Sequence, residues 1–485
     1  MEDIFDKIQA VTGISKYSGS EVITPKWVVK DMVDLVEKAD EKIFNPDAKF
    51  LDPAVKSSRF LFEIYNRLMV SPLMITAFPN EQDRRQHIWT EQLYGFATSP
   101  VAATIARKGL YDDPKKAGNI IYVDNYLAKM ADKTTDFKKL VQGEFGENMK
   151  FDVVIGNPPY QEDTGGGRCG GKPLYQNFVT KSFDTLSSRY VCMIIPAKWY
   201  ISNKDTKQFT SWMLDTNTVR HIKDFANSTE IFPEVSIGGG ICYFVMDKEY
   251  RGKCLVENCT YTNKTVVTEG SGIRPLNTFD LKEDEVFIRN QSDLSIILKV
   301  LEQKGKSIST ACSNVSPFGL KTTVDANVIR TSDTEVEIIK SYDETAYIER
   351  DEISKGIDLI DKYNVITGTL NADGGMALVA EGGLLNVINK PKILSPAQVC
   401  TLTYMVISSF DTMEQATNCA EYLKTKFIRF LISRLVGSAY MTYKQYRLVP
   451  LLDFSHPWTD QLLYEKYGLT QDEINHIETT IKPME

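Results

Sequence analysis

The strongest constraint in this chain is an apolar run that stops against two prolines. Phe151-Asp152-Val153-Val154-Ile155-Gly156 reads as a buried strand, and Asn157-Pro158-Pro159-Tyr160 follows it without a spacer. A strand of that kind belongs to an α/β sheet, where ligands gather beyond the carboxyl ends of the strands. Consecutive prolines present carbonyls, lack N–H donors and fix φ. Asn157 adds an amide on one side and Tyr160 an aromatic ring on the other. Such a surface suits the amino group of a flat base, held by its two hydrogens. The plain alternative is a stiff loop, since short motifs recur by chance. The strand in front and the motifs around it decide against that.

The first half of the chain alternates apolar strand-like runs with helical patterns, as an open α/β sheet requires. Val28, Val29, Met32, Val33, Leu35 and Val36 have helical spacing, with Pro25 close to the start. Phe50-Leu51 is a short strand ending at Asp52-Pro53. Residues 92–97, 119–124, 190–196 and 240–246 are four more strands. After about Tyr250 the strands become shorter, more polar and punctuated by Gly, Asn and Thr. The expected division is therefore a catalytic domain over residues 1–260 and an α+β domain over 261–485. Thr470-Gln471-Asp472-Glu473 fits a capping box that opens a last helix.

With 485 residues the chain is long enough for two or three domains, each with its own core. No apolar stretch reaches transmembrane length, and Met1-Glu2-Asp3 does not begin a signal peptide, so a cytoplasmic protein is expected. The eight cysteines form no CxxC pair and no histidine lies near Cys254 and Cys259, so no metal is expected. A net charge of −8 argues against a protein that coats nucleic acid, but leaves room for a local basic cleft.

Taken in order, the short motifs resemble the gamma-class adenine-N6 DNA methyltransferases of bacterial or phage restriction–modification systems. Thr24-Pro25 before a helix is similar to the N-terminal cofactor segment of that family. Phe50-Leu51-Asp52-Pro53-Ala54 resembles its first S-adenosylmethionine motif, and Val123-Asp124-Asn125 the acidic turn that reads the cofactor's adenine. Asn157 to Tyr160 is the catalytic motif. Leu174-Tyr175-Gln176-Asn177-Phe178 resembles the next helix, whose Phe178 would pack on the cofactor. Ile194-Ile195-Pro196-Ala197-Lys198-Trp199 and Ile231-Phe232-Pro233 complete the series, with Lys198 and Phe232 on the substrate side. The resemblance implies a Rossmann-like methyltransferase domain followed by a target-recognition domain. It also implies S-adenosylmethionine as cofactor, and double-stranded DNA and a cognate restriction endonuclease as partners. Asp52 and Asp124 at strand ends could meet the cofactor's ammonium or its adenine amino group; the other reading of each is a helix cap.

Two departures from the family pattern stand out. Lys56 and Ser58 occupy positions where its first motif is rich in glycine, and Ala97 stands where an acidic residue usually meets the ribose hydroxyls. They motivate a rival reading, a DNA-recognition subunit with weak or lost cofactor binding. A second rival is methylation of a protein glutamine, since Asn-Pro-Pro-Tyr suits any planar amino group. Gly166 to Lys172 has phosphate-loop spacing, but Pro173 stands where Ser or Thr should bind magnesium. The glycine-rich stretch around Arg168 is better read as a mobile loop. Glu302-Gln303-Lys304 has nuclease-like spacing but lies in a helical pattern. Near the end, Lys424, Lys426, Arg429, Arg434, Lys444 and Arg447 are interleaved with Tyr440, Tyr443 and Tyr446. That mixture suits a nucleic-acid face, with Lys444 and Arg447 as the DNA contacts. It suits equally the solvated side of an amphipathic helix through Leu423, Phe427, Phe430, Leu431 and Leu435.

Overall fold

The computed structural model describes residues 16–18, 21–113, 115–116, 118–162, 171–185, 188–202, 204–235, 237–277, 286–373, 384–437 and 439–484. They form two compact units, residues 1–287 and 288–485.

The first unit is built on a nine-stranded sheet. In chain order its strands are β1 (Phe50–Val55), β2 (Leu93–Ala97), β3 (Ile120–Ile121), β4 (Val153–Gly156) and β5 (Tyr190–Pro196). Then come β6 (Val219–Phe225), β7 (Ile241–Asp247), β8 (Cys254–Thr262) and β9 (Thr265–Arg274). Their spatial order is β3-β2-β1-β4-β5-β7-β6-β8-β9. The first five are mutually parallel and β7 runs antiparallel to both of its neighbours. This is a Rossmann-like α/β sheet, and its order reverses between β1 and β4. A crevice is expected at that reversal.

The strands expected from sequence are present, with β5 at its expected bounds and the others shifted by a few residues. β6 is an addition, because Arg220, His221, Lys223 and Asp224 interrupt its apolar pattern. Their side chains are matched by partners far away in sequence. His221 Nε2 meets Glu257 at 2.5 Å, and Lys223 reaches both oxygens of Asp31 at 2.8 and 2.9 Å.

Helix α1 (Lys26–Ala39) buries the six apolar residues expected of it and packs on β5 and β7. Pro25 precedes it with φ −58°, ready-made for a first turn. Helices α2 (Arg59–Val70), α3 (Pro100–Tyr111), α4 (Tyr126–Ala131) and α5 (Tyr175–Thr180) follow β1, β2, β3 and β4 respectively.

The expected domain boundary near residue 260 falls inside β8. The polar composition that suggested it belongs to a hairpin whose first strand pairs in parallel with β6. Trp27 of α1 stacks on Tyr261 at 4.0 Å. The unit closes on Phe287, whose N–H donates to Tyr200 and whose ring packs on Trp199 and Tyr200.

The second unit is α+β. One three-stranded sheet has Glu335–Ile339 between Thr345–Glu349 and Gln398–Cys400; another has Tyr363–Gly368 between Lys392–Leu394 and Tyr404–Phe410. The single helix expected through Leu423 and Leu435 is two, Met413–Lys424 and Lys426–Ser433. They break at Thr425, whose ψ of 148° is extended and whose hydroxyl caps the second helix. The last helix, Gln471–Glu478, opens on the expected capping box. Among the described residues no helix is long and apolar enough to cross a membrane.

A chain ending at residue 287 should therefore unfold cooperatively as a monomer. One ending at residue 260 loses β9 and the end of β8 and leaves the remaining β8 edge unpaired, so it should aggregate. Size-exclusion chromatography and thermal circular dichroism on the two truncations check this; indistinguishable behaviour would place the boundary elsewhere.

Candidate active site

The crevice begins where β1 and β4 stop pairing. They are joined through Phe50 with Val153 and Leu51 with Val154. Pro53 has no N–H to continue a ladder, and the register of β1 against β2 shifts between Asp52 and Val55. Beyond Leu51 the two strands carry different chemistry, Asp52-Pro53-Ala54 on one and Gly156-Asn157-Pro158 on the other. Gly156 is required here: a Cβ on it would lie 2.7 Å from Asp52 Oδ1.

A narrow cleft opens at this point. Thr24, Asp52, Lys56, Ser58, Arg59 and Asn157 supply most of its polar lining. Asp52 is buried, and its Oδ1 accepts the Ala54 N–H at 2.9 Å. Burial raises its carboxyl pKa to about 7, against the opposing pull of the Ala54 N–H and the Lys56 charge. Tyr126, at the start of α4, donates its hydroxyl to the Pro53 carbonyl at 2.6 Å. Burial first, and then the nearby Asp52 charge, push that hydroxyl well above the usual phenol range.

Asn157 is held from two sides. Its Nδ2 donates to Thr24 Oγ1 at 3.1 Å, and its backbone carbonyl accepts Lys56 Nζ at 3.2 Å. Arg59 in turn donates to the Thr24 carbonyl at 2.9 Å. The N-terminal segment, the turn after β1 and the end of β4 thus meet at one residue. Pro158, Pro159 and Tyr160 are also buried. The Tyr160 hydroxyl has no hydrogen-bond partner among the described residues.

Ser58 stands in the left-handed region, φ 57° and ψ 15°, at the N-cap of α2. That conformation costs a serine about 1 kcal/mol or more, and glycine would avoid it. The fold thus keeps the shape of a glycine turn without the glycine. The Ser58 hydroxyl is buried and also lacks a partner among the described residues. Asn125 adopts the same conformation, φ 57°, beside Asp124 in the turn between β3 and α4. Both Asp124 and Asn125 are exposed. Where the ribose-binding acidic residue is missing, Ala97 ends β2 fully buried, and the next residue, Thr98, buries a hydroxyl with no partner among the described residues.

The structure brings Thr24, Asp52, Ala54 and Asn157 together around the cleft, with Pro25 and Pro53 adjoining in the chain. Phe178, expected to pack on the cofactor, is packed against protein in this structure. Its ring has no exposed surface and packs edge-on against Tyr126, so it supports the turn that Tyr126 anchors. Phe232 is 2% exposed and likewise offers no open face, while Lys198 is exposed. Arg168 lies outside the described residues. Arg59 and Tyr126 are the site residues that motif reading missed. Neither belongs to a recognised pattern, and only the folded contacts single them out.

In the second unit the basic–aromatic cluster is largely spent on internal partners. Arg429 is fully buried and donates to the carbonyls of Lys424, Asn386 and Lys482. Lys426 pairs with Glu478, Lys424 with Glu421 and Arg434 with Asp293. Tyr446 is buried with its hydroxyl on Thr367. Two of these acidic partners, Asp293 and Glu478, come from outside the stretch that holds the cluster. Lys444 and Arg447 are half-buried, Arg447 donating its Nε–H to the Lys444 carbonyl at 3.0 Å, and Tyr440 is exposed. Among the described residues no group of His, Cys, Asp and Glu is placed to hold a metal ion.

Residues 91–232 match the family model described as Eco57I restriction-modification methylase. A Mycoplasma pneumoniae protein described as an uncharacterized adenine-specific methylase is 31% identical over 315 residues, 53% of this chain and 74% of its own. Among solved structures, a modification subunit of a putative type I restriction enzyme from Vibrio vulnificus YJ016 matches with a TM-score of 0.41. Its identity is 13% over 59% of this chain and 61% of that one. The type IIG restriction endonuclease BpuSI matches with a TM-score of 0.43 and 13% identity, over 95% of this chain and 61% of its own. This chain thus spans 61% of the length of either solved chain.

The raised pKa of Asp52 makes a stability prediction. The folded protein holds a proton that the unfolded chain releases near pH 4, so its contribution is complete below that pH and lost as pH rises through about 7. Asp52→Asn cannot ionise. Its melting temperature should exceed that of the unaltered protein by a few degrees at pH 8, with the gap growing from pH 4 to 7 and then levelling. A gap independent of pH in differential scanning calorimetry would show an ordinary, solvated carboxylate.

Proposed function

Because the chain belongs to the adenine-specific methylases of restriction–modification type, we propose that it transfers the methyl group of S-adenosylmethionine to N6 of an adenine in double-stranded DNA. The observation that carries this is the junction at Asn157. An amide and a proline carbonyl end the strand beside the reversal of strand order, and the amide nitrogen is engaged by Thr24. The cleft's donor set fits the cofactor. It combines a carboxylate, an ammonium, a guanidinium and a buried serine hydroxyl lacking a partner among the described residues, which suits a zwitterionic amino-acid end.

S-adenosylmethionine supplies a methyl group on a positively charged sulfur. The chain's own residues make the amino nitrogen able to accept it. The adenine must leave the stack, because its N6 is paired inside the duplex. With Nδ2 on Thr24, the Asn157 amide oxygen is turned the other way as an acceptor. That oxygen and the Pro158 carbonyl would take the two N–H bonds of N6. Acceptors at both hydrogens draw the nitrogen toward a tetrahedral shape and stabilise the charge that develops there. The proton needs no contacting base, because it becomes acidic only as the new bond forms. Tyr160 supplies an aromatic ring for stacking. Phe178 acts through Tyr126, which holds the Pro53 carbonyl. Asp124 and Asn125, exposed at the end of β3, would meet the cofactor's adenine. The second unit would read the DNA site, in a cytoplasmic protein working beside a cognate restriction endonuclease.

Asn157→Ala should abolish methyl transfer to DNA while leaving S-adenosylmethionine affinity and melting temperature close to the unaltered protein. A variant that still methylates within a few-fold would refute the role of Asn157. In the second unit, Lys444→Gln and Arg447→Gln should weaken DNA binding. Each should flatten the slope of log affinity against log salt by about one for a lost phosphate contact. Fluorescence anisotropy over a salt series measures this, and an unchanged slope would move the DNA face elsewhere.

A further inference from the structure

The turn after β1 carries two side chains whose individual tasks toward a ligand the methyl-transfer scheme does not specify. Where the family's first motif has glycines, this chain has Lys56 and Ser58, 7% and 2% exposed. Glycines in such turns let ligands approach backbone amides. Lysine and serine bring an ammonium and a hydroxyl instead. Lys56 borders the cleft and bonds the Asn157 carbonyl at 3.2 Å. Ser58 lines the same cleft, and its Oγ has no hydrogen-bond partner among the described residues. Helix α2 starts immediately afterwards, and residues 57–60 all border the cleft. The positive end of the helix and its first-turn N–H groups are therefore at hand. The side chain of Ser58 does not cap those groups. Asp52 stands in the same cleft with the opposite charge.

We propose that Lys56, Ser58 and the first turn of α2 form an anion site for the carboxylate of an amino-acid ligand, with Asp52 taking its ammonium. In S-adenosylmethionine this is the α-carboxylate of the methionine end, so the inference rests on the methyl-donor reading and specifies how that donor is held. The buried hydroxyl and the buried cation converge with a helix start on one small space. A plain structural role for Lys56, bracing Asn157, would leave the Ser58 hydroxyl without a purpose. The arrangement also links cofactor to catalysis, since the cation that holds the carboxylate also holds the peptide of Asn157.

Calorimetry on the full chain with S-adenosylmethionine and with its decarboxylated analogue tests the site. The unaltered protein should prefer S-adenosylmethionine by at least about tenfold, the scale of one charge-assisted hydrogen bond. Lys56→Met should erase most of that preference while leaving the affinity for the decarboxylated analogue within about twofold. Lys56→Arg should keep part of the preference, and Ser58→Ala should lose part of it. The last two carry the test if Lys56→Met does not fold. Equal weakening toward both ligands, or unchanged discrimination in the Lys56 and Ser58 variants, overturns the anion site alone. Failure of the unaltered chain to bind either ligand overturns the methyl-donor reading and the anion site with it.

Discussion

Everything at the candidate site depends on two strands that pair briefly and then part. β1 and β4 share a ladder only through Phe50–Val153 and Leu51–Val154. Pro53 cannot donate the next bond, and Gly156 leaves the space that the Asp52 carboxylate occupies. A proline on one strand and a glycine on the other therefore create the crevice. Parallel strands elsewhere in the sheet stay paired and simply fill the core, as β4 and β5 do along their length. The reversal of strand order places the crevice, and the two residues adjoin its lining in the chain.

That crevice is held open at an electrostatic cost. Asp52 is buried deeply enough to lift its pKa to about 7, and the Lys56 charge only partly offsets the burial. A cationic ligand group beside it would restore the ordinary ionised state, so a cation that binds also relieves the fold. Ser58 adds backbone strain in the same turn, in a conformation that suits glycine better. Strain and partly compensated burial thus coincide in one turn bordered by well-packed strands. Thr24 and Lys56 then fix Asn157 through its side chain and its main chain, so the acceptor geometry is set by the same residues that line the cleft.

The second unit follows a different logic. Its cations mainly hold the unit together: Arg429 ties three carbonyls, and Arg434 and His476 both bind Asp293. Paired charges of this kind release few counterions on meeting DNA. A phosphate contact there would draw on side chains outside these pairs. A chain with net charge −8 can still bind a polyanion on such terms, provided the acidic residues lie elsewhere.

The α/β class, the strands around Asn157-Pro158-Pro159-Tyr160 and the clustering of Thr24, Asp52 and Asn157 were legible in the sequence, because each rests on local chemistry. Apolar β-branched runs make strands, Pro25 opens a helix, and Asp52 at a strand end faces the crevice. An aromatic residue in a motif, such as Phe178 or Phe232, does not state which of its faces the fold covers; for Phe178 packing against Tyr126 covers one of them. The boundary near 260 misled because a polar hairpin resembles a new domain until its pairing with β6 is seen. The basic cluster misled for a related reason: Glu478 and Asp293 are distant in sequence and adjacent in space. Sequence by itself determined which elements form and which chemical groups sit at their ends, since both follow from neighbouring residues. Tertiary structure alone decided which charges are neutralised, which rings are sealed and where the sheet stops, since each depends on partners that the chain brings together only on folding.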